Sequence, residues 1–205
     1  MKICKLEDCD RLHESRGYCA KHAHQLRQYG KILTRTCVTP NNFILEDDIC
    51  RIQLFNIKRK LVGEAVIDIE DYEKCKDTKW SLHHKGYAVG KRGKLPLANH
   101  IIGWKEGFDA DHKDRDRLNN RKENLRFATR IQNCINKESV LGKSGFKGVS
   151  WHKGTQRWVV RLSVNKIRKS FGYFKNKIEA AMVYDKVALK YHGDFACTNK
   201  MMGLY

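Results

Sequence analysis

The 205 residues carry 41 Lys plus Arg against 23 Asp plus Glu, a formal net charge of +18, with 41% hydrophobic content. That is enough apolar material for one to three small cores but not for one large one. The basic excess runs along the whole chain, which makes nucleic acid the leading partner, and no apolar run approaches the ~20 residues a membrane helix needs. The start, MKICKLEDCD, is too charged for a secretory signal. A reducing, cytoplasmic setting without a disulfide framework is therefore expected.

In chain order, the first predicted module spans residues 1–36. Cys4, Cys9, Cys19 and His22 form a C-x4-C-x9-C-x2-H array whose two short-spaced pairs suit a tetrahedral structural zinc ion. About thirty residues cannot bury enough surface to fold alone, so Zn²⁺ would supply the folding energy. His24 is a competitor for His22. Cys37, Cys50, Cys75, Cys134 and Cys197 lack paired spacing and are expected as small buried hydrophobes. HAHQLRQYGK reads as a short basic helix stopped by Gly30.

Residues 37–90 read as extended. NNFILEDDICRIQLF and GEAVIDIEDY alternate or run apolar over strand lengths, predicting a small sheet packed beside the unit of residues 91–141. Glu46, Asp47, Asp48, Asp68, Glu70 and Asp71 fall between strands without the spacing of a metal loop and are assigned to surface and turns. Trp80 and Tyr87 are assigned to the core.

In residues 91–141, LPLANHIIGW predicts a short helix, FDADH a strand, KDRDRLNNRKE a polar loop, NLRFAT a second strand and RIQNCINKE a helix. A hairpin followed by a helix can gather the end of one strand, the start of the next and the first helical turn around one point. A carboxylate, an imidazole and two amides at fixed separations meet there. Such a set exceeds what phosphate contacts require, because those come from Lys, Arg and backbone N–H groups.

These residues resemble the HNH endonuclease family with its ββα-metal fold, most closely the phage and intron-encoded homing enzymes. The resemblance implies that His112 is the general base toward water and that Asn124 orients its ring. It implies that Asp111 and Asn133 hold Mg²⁺, with Mn²⁺ as a substitute, for cleavage to 3′-hydroxyl and 5′-phosphate ends. Asn133 stands where many members have His, and Ile101 follows His100 where they typically have Arg. His100 is accordingly assigned to packing, and Asn119 and Asn120 to the shaping of the loop. A phage-infected bacterial cytoplasm is the setting the resemblance implies.

Residues 142–205 predict three short strands and a helix begun by Asn176 and Glu179 and closed by Gly193. Trp158, Val160 and Leu162 should lie under that helix, and Arg157, Val159, Arg161 and Ser163 on the open face. FKGVSWHK, RWVVRL, FGYF, EAAMVYDKVALKYHG and the closing TN resemble the AP2 DNA-binding domain. The resemblance implies that Lys147, Ser150, His152, Arg157, Arg161, Ser163, Arg168 and Ser170 face double-stranded DNA. The expected whole is a modular α+β protein, a metal-dependent homing-type DNA endonuclease acting as a monomer on DNA, with a dimer left open. A DNA-binding regulator with a non-catalytic HNH scaffold and a junction- or RNA-directed nuclease are the readings left open beside it.

Overall fold

The computed structural model describes residues 3–6, 9, 11–32, 40–56, 60–138 and 142–205. Cys37 and the last four positions of the 1–36 module lie outside them. The first element, α1 (Ala20–Tyr29), begins directly after Cys19 and stops at Gly30, whose φ of 67° donates the capping N–H to the Leu26 carbonyl. Glycine takes that left-handed backbone without the penalty a Cβ would bring. Ahead of it, the described residues of 3–18 are joined by short bridges, Ile3 to Leu12 and Ser15 to Tyr18, and the buried apolar side chain among them is Cys4.

A meander of β1 (Phe43–Glu46), β2 (Ile49–Phe55) and β3 (Leu61–Asp68) comes next, antiparallel throughout. In β2 every second residue, Cys50, Ile52 and Leu54, is fully buried, the period-two pattern of a one-faced sheet. A helical turn, α2 (Tyr72–Cys75), then leads to β4 (Ser81–Leu82), β5 (Ala88–Gly90) and β6 (Leu95–Pro96). Helix α3 (Leu97–Ile102), the hairpin β7 (Asp109–His112) with β8 (Leu125–Ala128), and α4 (Arg130–Asn136) complete the central part.

One core runs through all of these elements. Ile52, Leu54 and Ile67 of the meander pack with Trp80, Leu97, Ile101 and Leu125, so the segments read separately as 37–90 and 91–141 are one packed unit. Four acidic residues of the middle segment hold the β7–β8 loop to the sheet. Arg121 pairs with Asp68 at 2.9 Å and Asp48 at 3.0 Å, and Lys122 pairs with Glu70 and with buried Asp71. Residues 118–120 add to the β3 edge, with Val66 N–H donating to the Leu118 carbonyl and Asn120 N–H to the Val66 carbonyl. An edge strand's unpaired groups thus become the seat of a loop.

The C-terminal unit is a sheet ordered β11-β10-β9, from β9 (Val149–His152), β10 (Arg157–Val164) and β11 (Ile167–Phe174), backed by α5 (Lys177–His192). Val160, Leu162, Ala181, Tyr184 and Ala188 form its core. Asn176 caps α5 by accepting from Ile178 N–H; a reciprocal bond from Glu179 is not formed, and Tyr191 stays exposed against Phe171. Val159, assigned by alternation to the open face, is fully buried, and the register of β10 against β11 shifts between Val159 and Arg161. A bulge of this kind breaks the strict two-residue alternation on which that assignment rested.

The closing TN has a structural role. Asp185 accepts from Asn199 N–H at 2.7 Å and its side chain at 2.9 Å, from Lys200 N–H, and from the Tyr205 hydroxyl. Asn199 in turn accepts from Lys147 N–H at 2.7 Å. With Asn199 fully buried, Asn199→Ala removes one of the four donors to Asp185 and leaves the Lys147 N–H without its acceptor, and is expected to lower stability by about 1–3 kcal/mol in chemical denaturation.

Candidate active site and metal sites

Asp111 and His112 end β7 and lie 5% exposed at one wall of a cleft of about 480 Å³. The β7–β8 register places Asp111 opposite Arg126 and His112 opposite Leu125. Helix α4 forms the other wall. It starts cleanly because Thr129 and Gln132 make a reciprocal capping box, a T-x-x-Q signal legible in the sequence. Asn133 and Asn136, three residues apart, therefore share a face, and both line the cleft.

The Asp111 carboxylate is held from two sides. Asn136 Nδ2 donates to Oδ1 at 3.2 Å and Oδ2 at 3.1 Å, and to the His112 carbonyl at 2.8 Å; Arg126 Nε donates to Oδ2 at 2.9 Å. The Asn133 side chain makes no hydrogen bond to another described residue. A hard carboxylate oxygen beside a free amide, open to a cleft with room for water and phosphate, fits the octahedral oxygen shell of Mg²⁺.

The imidazole is met by Asn120, not by Asn124. His112 Nε2 lies 3.2 Å from Asn120 Oδ1, while Asn120 Nδ2 donates to the Leu118 carbonyl at 3.0 Å. With the amide nitrogen so engaged, its oxygen faces the ring, Nε2 carries the proton, and Nδ1 is the basic nitrogen. Burial pushes the His112 pKa down from 6.5, against the upward pull of Asn120 and of Asp114, Asp111 and Asp116. The neutral ring is thereby favoured at neutral pH.

Asn124 faces the other way. Its Oδ1 accepts from Asp114 N–H at 3.0 Å, and its Nδ2 donates to Asp114 Oδ1 and the Asn119 carbonyl, both at 2.8 Å. It closes the loop from which Asn120 reaches the ring and does not touch the ring itself. Spacing alone could not tell these two asparagines apart, because the loop folds back on β3 before reaching the hairpin. His100 lies away from the dyad, bonding the Lys74 carbonyl at 2.9 Å and packing against buried Trp80 with the ring planes tilted by 52°. Tyr87, read as core, instead lines the cleft with its ring 6.1 Å from His112 and Arg117 over its face.

At the N-terminus the donor atoms of Cys4, Cys9, Cys19 and His22 all lie within 4.8 Å of one another. Cys9 and Cys19 sulfurs are 3.9 Å apart, close to the edge of about 3.8 Å for a tetrahedron with 2.3 Å zinc–sulfur bonds. The cluster can hold zinc. Burial opposes the Cys4 thiolate, yet bonds from His22 and nearby backbone groups bring its pKa down to about 6. His24 is exposed and outside the cluster. Cys50, Cys75 and Cys197 are buried as expected, whereas Cys134 is exposed on α4.

On the C-terminal sheet Arg157, Ser163, Arg168 and Ser170 are exposed, Ser150 accepts from Arg161 at 3.2 Å, and His152 bonds Thr155 at 2.9 Å. Lys147 departs from its assignment to DNA. Its ammonium donates to the carbonyls of Ile135 at 2.9 Å and Lys137 at 2.8 Å, and burial lowers its pKa. The end of α4 supplies acceptors that no alternation pattern reveals.

A family profile for HNH endonucleases matches residues 89–134, the stretch from β5 into α4. The chain is also similar to an uncharacterized HNH endonuclease of Acanthamoeba polyphaga mimivirus, 30% identical over 144 residues that cover 67% of this chain and 75% of that protein. No solved structure gives a significant match. With the profile falling on the hairpin and helix that gather Asp111, His112 and Asn133, the class is a nuclease, a hydrolase of DNA phosphodiester bonds. The chain belongs to the HNH endonuclease family.

Proposed function

We propose that the protein is a metal-dependent endonuclease of the homing type that cuts double-stranded DNA at a long site, leaving 3′-hydroxyl and 5′-phosphate ends. The observation that carries this reading is the neutral, buried His112 held by Asn120 beside a two-sided clamp on Asp111. His112 Nδ1 takes the proton of the attacking water, and the Nε2–H to Asn120 bond stabilises the imidazolium that forms. Asp111 and Asn133 would hold a divalent cation such as Mg²⁺, which when bound neutralises charge at the scissile phosphate. Asn136 and Arg126 fix the carboxylate for that task.

The flanking modules select the site. The N-terminal cluster binds structural Zn²⁺, and the β9–β11 sheet acts as an AP2-like reader through Arg157, Arg161, Ser163, Arg168 and Ser170, with Ser150 and His152 beside them and Lys147 left out. Two modest contacts on one chain give a high effective concentration for the second. The test is incubation of the purified protein with plasmid and source-genome DNA, with Mg²⁺ or EDTA, followed by end mapping. Discrete metal-dependent breaks with 5′ phosphates support the reading. Shifted but uncut DNA would instead favour a regulator with a silent nuclease scaffold.

Asn120→Ala separates ring orientation from general folding. It removes the acceptor for His112 Nε2, and kcat is expected to fall about 10- to 100-fold with KM little changed, measured on a short duplex containing the mapped site.

A further inference from the structure

Arg126 is shared between the nuclease unit and the C-terminal module. Its Nε donates to Asp111 Oδ2 at 2.9 Å, its Nη1 donates to the Asp194 carbonyl at 2.8 Å, and its guanidinium carbon lies 3.8 Å from the Phe195 ring centroid. Asp194 and Phe195 form the turn after α5. The Arg126 side chain is only 12% exposed, and its Nη2 is buried without a hydrogen-bond partner. Among the described residues, the partners of this enclosed guanidinium besides Asp111 are Asp194 and Phe195 of the C-terminal turn. Left to β8 alone, a long side chain with four rotatable bonds would not stay on a single carboxylate oxygen.

The turn is itself firmly seated. Lys147 donates to the last carbonyls of α4, and Arg115, beside the cleft, reaches Cys197 Sγ at 3.5 Å and the Met201 carbonyl at 3.4 Å. The contact to Arg126 is therefore one of several that fasten residues 193–201 against the nuclease unit.

From this arrangement we infer that the 193–195 turn is part of the metal centre. Phe195 and the Asp194 carbonyl hold Arg126, and Arg126, as a positioning residue, holds the Asp111 carboxylate through Oδ2. The nuclease unit is incomplete without the C-terminal module. The inference rests on the reading of Asp111 as a metal ligand. Outer partners of a ligating carboxylate are worth about 10- to 100-fold in metal affinity, so the effect is measurable without any cleavage.

The experiment titrates Mn²⁺ into the full-length, zinc-loaded protein without DNA and reads free Mn²⁺ by electron paramagnetic resonance. Thiolate ligands disfavour Mn²⁺ at the N-terminal cluster. Phe195→Ala and Arg126→Ala are expected to weaken Mn²⁺ binding about tenfold, with Arg126→Lys between them and the wild type. Circular dichroism and DNA affinity without added Mg²⁺ or Mn²⁺ should stay as in the wild type for Phe195→Ala, which also serves if Arg126→Ala fails to fold. Asp111→Ala marks the underlying reading: if it binds Mn²⁺ as the wild type does, Asp111 is not the ligand and both readings fail. If Asp111→Ala loses Mn²⁺ while Phe195→Ala retains wild-type affinity, the role of the turn is overturned and the ligand assignment stands.

Discussion

His112→Ala should cut its DNA about 10²- to 10⁴-fold more slowly than the wild type while binding it with unchanged affinity. The ring sits at the cleft wall with Nε2 engaged by Asn120, so truncation removes the base without removing a contact the fold depends on. Single-turnover cleavage on a mapped site, paired with gel shifts without added Mg²⁺, measures both quantities. Equal cutting by the variant would remove His112 from the chemistry. The pH profile of the wild type adds a second readout. Burial depresses the folded pKa below 6.5, so the neutral ring persists through neutral pH and is lost only as pH falls through that lowered value. Below 6.5 the unfolded chain binds more protons than the native one, and stability falls with the rate as pH drops.

Loss of zinc should unfold the N-terminal module. Among the described residues of 3–30 the buried apolar side chains are Cys4, Cys19 and Ala23, and a structural zinc site supplies on the order of 10 kcal/mol of apparent folding free energy. Cys19→Ser is a disruptive change, since Cys19 reaches both Cys9 and His22 and immediately precedes α1. Elemental analysis should show one zinc per wild-type chain and less than a tenth of that in the variant. Limited proteolysis should then cleave within residues 3–30 while the central core stays intact. A variant that is resistant and metal-free would show that the cluster folds without an ion.

Much of the fold was legible because it is written in short-range pattern. The alternation in β2, the Gly30 stop of α1 and the hairpin-then-helix of the central unit all come from local rules, and each appears where those rules put it. The four-donor N-terminal cluster was likewise readable, since close spacing in sequence confines the ligands in space. Misreadings arose where a residue's partner is distant. Lys147 looked like a DNA contact until the α4 carbonyls came within reach, Val159 looked open until a bulge turned it inward, and Asn124 looked like the ring's partner until the loop docked on β3.

What the sequence determined by itself is chemistry: a dyad of Asp111 and His112, an amide on a following helix, a Cys/His cluster, and a basic excess suited to DNA. These depend on side-chain type and near spacing, which the chain carries explicitly. The tertiary structure alone decided which asparagine touches His112, which residues clamp Asp111, and that Phe195, 84 positions beyond Asp111 in the chain, stacks on the arginine that holds it. Those choices are made by packing between elements far apart in the chain, where loop closure and burial, and not local propensity, set which groups meet.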